Sequence, residues 1–105
     1  MFARVTTFEG DPERLEEGVR LFGEEVIPWL RDATGFRGWI VLLDREGRRS
    51  LGITFWATEE SMKDDERSGG TIRDELAESL ETTRTGLEYY EVAVDDALAL
   101  RRPDE

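Results

Sequence analysis

The densest alternation of apolar and polar residues runs from Gly35 to Trp56, GFRGWIVLLDREGRRSLGITFW. It predicts two strands, 36–44 and 48–57, joined by a polar turn at Arg45-Glu46-Gly47. Residues 2–8 (FARVTTF) are β-branched and aromatic and predict a first strand, ended by Gly10 and Asp11. Gly86 opens a last strand over 87–94 (LEYYEVAV). From Pro12 to about Arg31 the spacing changes. Leu15, Val19, Phe22, Val26 and Leu30 recur every three or four residues, which marks one face of a helix. Asp11 is placed to cap it, Pro12 suits its first position, and Glu13 favours its N-terminal dipole. Pro28 has no N–H to donate to the Glu24 carbonyl, so a kink is expected in the last turn. Gly35 is expected at positive φ in the exit loop. Thr58 is placed to cap a second helix, with Glu59 and Glu60 in its first turn. Its apolar face runs through Met62, Ile72, Leu76 and Leu80, and Ser68-Gly69-Gly70 predicts a break into two pieces, 59–67 and 71–82.

The order β-α-β-β-α-β predicts an α+β, ferredoxin-like fold, a four-stranded antiparallel sheet with two helices on one face. Yet the central hairpin is apolar on both sides. Trp39, Val41 and Leu43 alternate with Phe36, Ile40 and Leu42, and Leu51, Ile53 and Phe55 alternate with Gly52, Thr54 and Trp56. Two helices cover one side, and the other is too apolar for water at about 25 cal/mol per Å² exposed. A homodimer through the open sheet face is therefore expected. The domain takes residues 1–94, and residues 95–105 follow as a tail, loose or laid on a partner.

Composition removes chemistry rather than adding it. The 105 residues make one domain, 38% apolar, with no cysteine and no histidine. Disulfides, thiolate zinc sites and nucleophilic cysteine are excluded, as are the commonest metal ligand and the usual general base near neutral pH. Neither a metal nor an organic cofactor is expected. The run Asp64-Asp65-Glu66 lacks the glycine and spacing of a calcium loop and reads as a solvated helix face. GFRG and SGG lack the spacing that cradles nucleotide phosphates. A formal charge of −11 argues against nucleic acid and anionic membranes as partners. The opening MFARVTTFEG has no signal pattern and no apolar run reaches membrane length, so a cytoplasmic protein is expected.

The chain resembles the dimeric α/β barrel superfamily, in its antibiotic-biosynthesis-monooxygenase-like branch. The resemblance rests on FARVTTFEG, on EEVIPWL followed by TGFRG, on LGITFW before TEESM, and on YYEVAV, and covers the chain to Val94. It implies that two sheets face each other as a barrel, with a ligand cavity in each subunit between sheet and helices. It is specific for fold and poor for reaction, since such families include cofactor-independent oxygenases, haem-degrading enzymes, lactone isomerases and proteins of no known activity. Haem degradation fits poorly without a histidine to ligate iron. The resemblance also implies a cavity-lining role for Trp56, since oxygenase members carry a tryptophan at the matching strand end.

The residues add further candidates. Arg4 and Thr6 share a face of strand one, and Tyr89 and Glu91 share one of strand four, so Arg4 is expected to oppose Glu91. As a catalytic pair, Arg4 would stabilise an enolate or phenolate while Glu91 accepts a proton. As a structural pair, they would be a cross-strand ion pair, which is the simpler reading. Tyr89 and Tyr90 point to opposite faces, one toward the cavity and one toward the barrel interface. Gly52 and Thr54 are small and leave room on the sheet face, and Phe22, Val26, Trp29 and Met62 are placed to roof it. Trp56, Arg4 and Glu91 are thus the catalytic candidates, with Thr6, Thr54, Tyr89, Phe22 and Trp29 binding substrate. Two functions stay open. One is a non-catalytic dimer binding a small apolar or aromatic ligand. The other is a cofactor-independent monooxygenase acting on a polycyclic phenol.

Overall fold

The chain runs β1 (Phe2–Glu9), α1 (Pro12–Leu21), a π-helical segment (Phe22–Val26), α2 (Ile27–Leu30), β2 (Phe36–Asp44), β3 (Arg49–Trp56), α3 (Glu59–Ser79) and β4 (Thr83–Glu91). The computed structural model describes residues 1–96, apart from the side chains of residues 69–72. The strands form one antiparallel sheet in the order β2-β3-β1-β4, the ferredoxin-like arrangement, with the helices on one face. Asp11 caps α1 by accepting from the Glu13 N–H at 3.2 Å, and Thr58 caps α3 by accepting from the Ser61 N–H at 3.1 Å. Gly35 takes φ +81° in the loop before β2, and its carbonyl accepts from the Ala57 N–H at 2.7 Å.

Register sorts the side chains. Phe2, Arg4, Thr6 and Phe8 lie opposite Trp56, Thr54, Gly52 and Ser50 and face the helices. Val5 and Ile53, Thr7 and Leu51, and Ala3 and Phe55 form the open face with Ile40 and Leu42. Phe36 departs from expectation. A register shift between Phe36 and Gly38 turns it to the helix side, where it meets Trp56 edge-on at 5.4 Å. One end of the helix–sheet interface is a packed core of Ile27, Leu30, Trp56 and Met62.

The helices differ from expectation in two ways. The disturbance expected from Pro28 appears as the π segment, in which the Ile27 N–H donates to the Phe22 carbonyl one residue beyond the α pattern. That extra residue shifts the helical phase, so Ile27 is buried together with Leu30, while Val26 is half-buried and Trp29 is turned out. The break at Ser68-Gly69-Gly70 does not occur: α3 is continuous from Glu59 to Ser79. Two helical glycines cost about 1 kcal/mol each. Side chains within α3 bridge them, since Arg73 reaches back to Asp65 at 2.5 Å and Ser68 Oγ donates to the Asp64 and Asp65 carbonyls.

β4 begins at Thr83 rather than at residue 87. A bulge after Thr7 lets the strand extend backwards, so that Arg84 opposes Phe8 and Thr83 opposes Glu9. It ends at Glu91 because β1 has no residue left to pair beyond the Met1 carbonyl, which accepts from the Val92 N–H. In the hairpin turn the left-handed residue is Arg48 (φ +56°), and Gly47 donates its N–H to the Asp44 carboxylate at 2.8 Å. Residues 97–105 of the expected tail lie outside the described residues. Among the described residues no helix is long and apolar enough to cross a membrane.

Gly35 yields a prediction. A Cβ there would collide with Ser61 Oγ, and the left-handed backbone disfavours it independently. Gly35→Ala should lower stability by about 1–2 kcal/mol or more in urea unfolding, whereas Gly52→Ala, with nothing within 4 Å of its Cβ and no left-handed backbone, should show no such loss.

Candidate functional site

Between the sheet and the helices, away from the Trp56 core, lies a cavity of about 70 Å³. Its floor is Thr6, Ser50, Gly52 and Thr54, and a Cβ on Gly52 would meet nothing within 4 Å. Leu15, Val19 and Phe22 wall it on one side, and Leu76, Ala77 and Leu80 of α3 wall it on the other. The Phe22 and Trp39 rings meet at a tilt of 38°, centroids 5.3 Å apart, and close a corner. The space holds roughly five waters at the 10–15 Å³ each needs. That is well below the 300–1,000 Å³ or so of a drug-sized ligand site.

One end of the cavity meets a buried ionic network. Arg4 on β1, 1% exposed, sets its guanidinium 2.8 Å from Asp65 and 3.6 Å from Glu66, and donates to the Met62 carbonyl at 3.4 Å. Arg73, 3% exposed, reaches Asp65 at 2.5 Å and Glu66 at 3.4 Å. Arg84 on β4 bonds Glu66 at 2.8 Å and Asp74 at 2.7 Å. Burial pushes the Arg4 pKa down and the neighbouring Arg73 adds to this, while Asp65 and Glu66 pull it back. A guanidinium stays charged in a protein all the same, so its charge has to be paired.

The structure separates the residues expected to act together. Arg4 opposes Tyr89, not Glu91, and Glu91 lies opposite Phe2 and is exposed. The expected Arg4–Glu91 pair therefore does not exist, because β4 is registered two residues away from the place the pair requires. Asp65 and Glu66 take that role, so the acidic run read as a solvated face is solvated only at Asp64. Trp56 is fully buried beside the cavity instead of lining it: its indole N–H donates to Thr54 Oγ1 at 3.0 Å, and the Arg4 guanidinium lies 5.6 Å from its ring centroid. Trp29 is 50% exposed on an outer groove, turned there by the π segment, so it does not roof the cavity. Tyr89 sits on the edge strand, 39% exposed, and is not part of the cavity wall. Thr6, Thr54, Phe22 and Arg4 do gather at the cavity.

Arg73, Asp65, Glu66 and Trp39 were not anticipated there. A signal for two of them was present. Met62, Asp65, Gly69, Arg73, Leu76 and Leu80 recur at spacings of three and four, so an acid and a base fall on the buried stripe of α3 at matching positions. Replacing Asp65 by Ala leaves Arg4 and Arg73 facing each other without their shared carboxylate and should destabilise the protein by about 3–5 kcal/mol. The exposed Asp64→Ala control should stay within about 0.5 kcal/mol of wild type in the same denaturant titration.

No protein-family model matches the chain. An uncharacterized protein of Mycobacterium tuberculosis is 30% identical over 93 residues, which is 89% of this chain and 41% of the relative. The chain thus spans less than half the length of that relative. A solved structure from Deinococcus radiodurans, described as a candidate antibiotic biosynthesis monooxygenase, superposes with a TM-score of 0.72 at 18% identity, over 90% of this chain and 95% of that one. A Streptomyces coelicolor monooxygenase in complex with nanaomycin D superposes with a TM-score of 0.68 at 22% identity, over 91% and 92% of the two chains. At these identities the likeness is one of fold. The chain has the ferredoxin-like fold shared by the antibiotic-biosynthesis-monooxygenase-like proteins.

Proposed function

We propose that the chain is a homodimeric α/β barrel protein that binds a small apolar or aromatic molecule between its sheet and its helices. The observation that carries the binding reading is the space above Gly52, walled by aliphatic and aromatic side chains and floored by three hydroxyl residues. A core built only for stability would fill that space, because each unfilled methyl-sized volume costs about 1 kcal/mol.

The open sheet face supports the dimer. Val5, Ile40, Leu51, Ile53 and Phe55 lie on it half-buried, with Leu42 at 52% and Tyr90 at 51% exposure. Among the described residues no helix covers this face, and a second copy would present a matching one about a two-fold axis.

The fold it shares with the Streptomyces coelicolor monooxygenase favours a second reading, oxygenation of a polycyclic phenol without a cofactor. Three features make it the weaker reading. The cavity is too small for a polycycle as it stands, Arg4 is committed to Asp65, and Glu91 is exposed at the end of β4.

Two measurements test the proposal. Benzene or xenon should shift the methyl resonances of Leu15, Val19, Val41 and Leu80 in wild type, and leave them unmoved in Gly52→Leu, whose side chain occupies the space. Methyl groups indifferent to both probes in wild type would overturn the binding reading. For assembly, wild type should sediment as a dimer, and Leu42→Asp together with Ile53→Asp should give a folded monomer; a monomeric wild type at micromolar concentration would sink the barrel.

A further inference from the structure

We propose that the ligand of this cavity is an organic anion, a compact aryl or branched alkyl carboxylate whose head group lies against Arg4 and Arg73. The inference rests on the ligand-binding reading above and narrows it to a chemical class.

Charge is sorted across the molecule against its overall balance. The chain carries 25 acidic and 14 basic residues. Among the described residues bordering the cavity, the charged ones are Arg4, Arg14 and Arg73, and there is no carboxylate. Asp65 and Glu66 stand behind the two inner guanidiniums, off the cavity wall. The outer groove beside Trp29 has the opposite character, with Glu60, Asp64 and Asp65 and no basic residue. In an acidic protein this apolar space thus has a cationic lining.

The network behind that lining leaves two donors unpaired. Three guanidiniums, those of Arg4, Arg73 and Arg84, share two sheltered carboxylates, Asp65 and Glu66. The third carboxylate, Asp74, is 54% exposed and reaches only Arg84. A single Asp65 oxygen serves both Arg4 and Arg73. Arg4 Nε and Arg73 Nε are buried donors with no acceptor in the protein, and Asp65 Oδ1 is a buried acceptor with no donor. Buried polar groups are almost always bonded, so two cavity-lining arginines with unpaired donors mark this end of the cavity as the place where an acceptor is missing. A carboxylate suits them, since its two oxygens match the planar fork of a guanidinium.

Neighbouring groups fit the same head. Thr54 Oγ1 accepts from the Trp56 indole, which leaves its own hydroxyl hydrogen to donate to a ligand oxygen. The aliphatic and aromatic walls then take a body no larger than one ring or a short branched chain. The net charge of −11 slows the approach of an anion without weakening contacts made inside, because its field is screened beyond about 8 Å at physiological salt. Arg14, half-exposed and also lining the cavity, offers an anion an outer cationic group.

The test compares phenylacetate with phenylacetamide, which matches it in shape and lacks the charge, by methyl NMR titration of the full chain. Phenylacetate should bind at least tenfold tighter, and Gly52→Leu should abolish binding of both. In Arg73→Lys, which keeps the charge and loses the fork, the preference for the acid should fall several-fold while benzene still binds. If the amide binds as well as the acid, or if benzene binds and the acid does not, the anion inference is overturned and the cavity reading stands. If neither phenylacetate nor benzene enters, both readings fall together.

Discussion

A guanidinium in the middle of a sheet has to be matched by carboxylates from whatever packs against it, and the position of Arg4 imposes this on the fold. Arg4 lies on β1, a central strand, facing the helices, with 1% of its surface exposed. Its partners come from α3, so that helix must pass over β1 with Asp65 and Glu66 turned inward. Arg73 and Arg84 then join the same carboxylates, which ties α3 to both β1 and β4. An unpaired charge at this depth would cost several kcal/mol, so the network limits how α3 can slide or rotate. It also accounts for a helix that runs straight through two adjacent glycines.

The other helical layer is governed by a backbone constraint. Pro28 cannot complete an α-helical hydrogen bond, and the chain accommodates it with a single π turn. The phase shift places Ile27 and Leu30 over Trp56 and Met62. The preceding turn keeps Leu15, Val19 and Phe22 over the small residues Gly52 and Thr54. The interface is therefore packed at one end and open at the other, and the ionic network marks the boundary between the two. Trp56 belongs to the packed end, where its indole bonds Thr54 and supports the Arg4 guanidinium from one side.

Fold and function part company at this boundary. The ferredoxin-like sheet is common to proteins of varied chemistry, and likeness of fold alone carries no reaction with it. The chemistry of this chain sits in the lining of one cavity, where three arginines and several hydroxyls meet an apolar wall in a strongly acidic protein.

Local rules were enough to read the first three strands, the Asp11 and Thr58 caps, the left-handed Gly35 and the two apolar faces of the hairpin, because each depends on neighbours a few residues away, while the bounds of β4 shifted from 87–94 to Thr83–Glu91. The small residues Gly52 and Thr54 likewise marked the cavity floor. The partner of Arg4 was not legible, since antiparallel register between β1 and β4 hinges on a bulge after Thr7 that no local pattern announces. The roles of Trp29 and Phe36 depended on a π turn and a strand irregularity, each of which changes the direction in which nearby side chains point. Asp65 and Arg73 sat on the buried stripe of α3 in plain sight, but a charged residue is buried only when its counter-charge arrives from elsewhere. The sequence by itself determined which elements form and which of their faces are apolar. The tertiary structure alone decided which charges meet, because pairing across the fold is a property of register and helical phase rather than of any single segment.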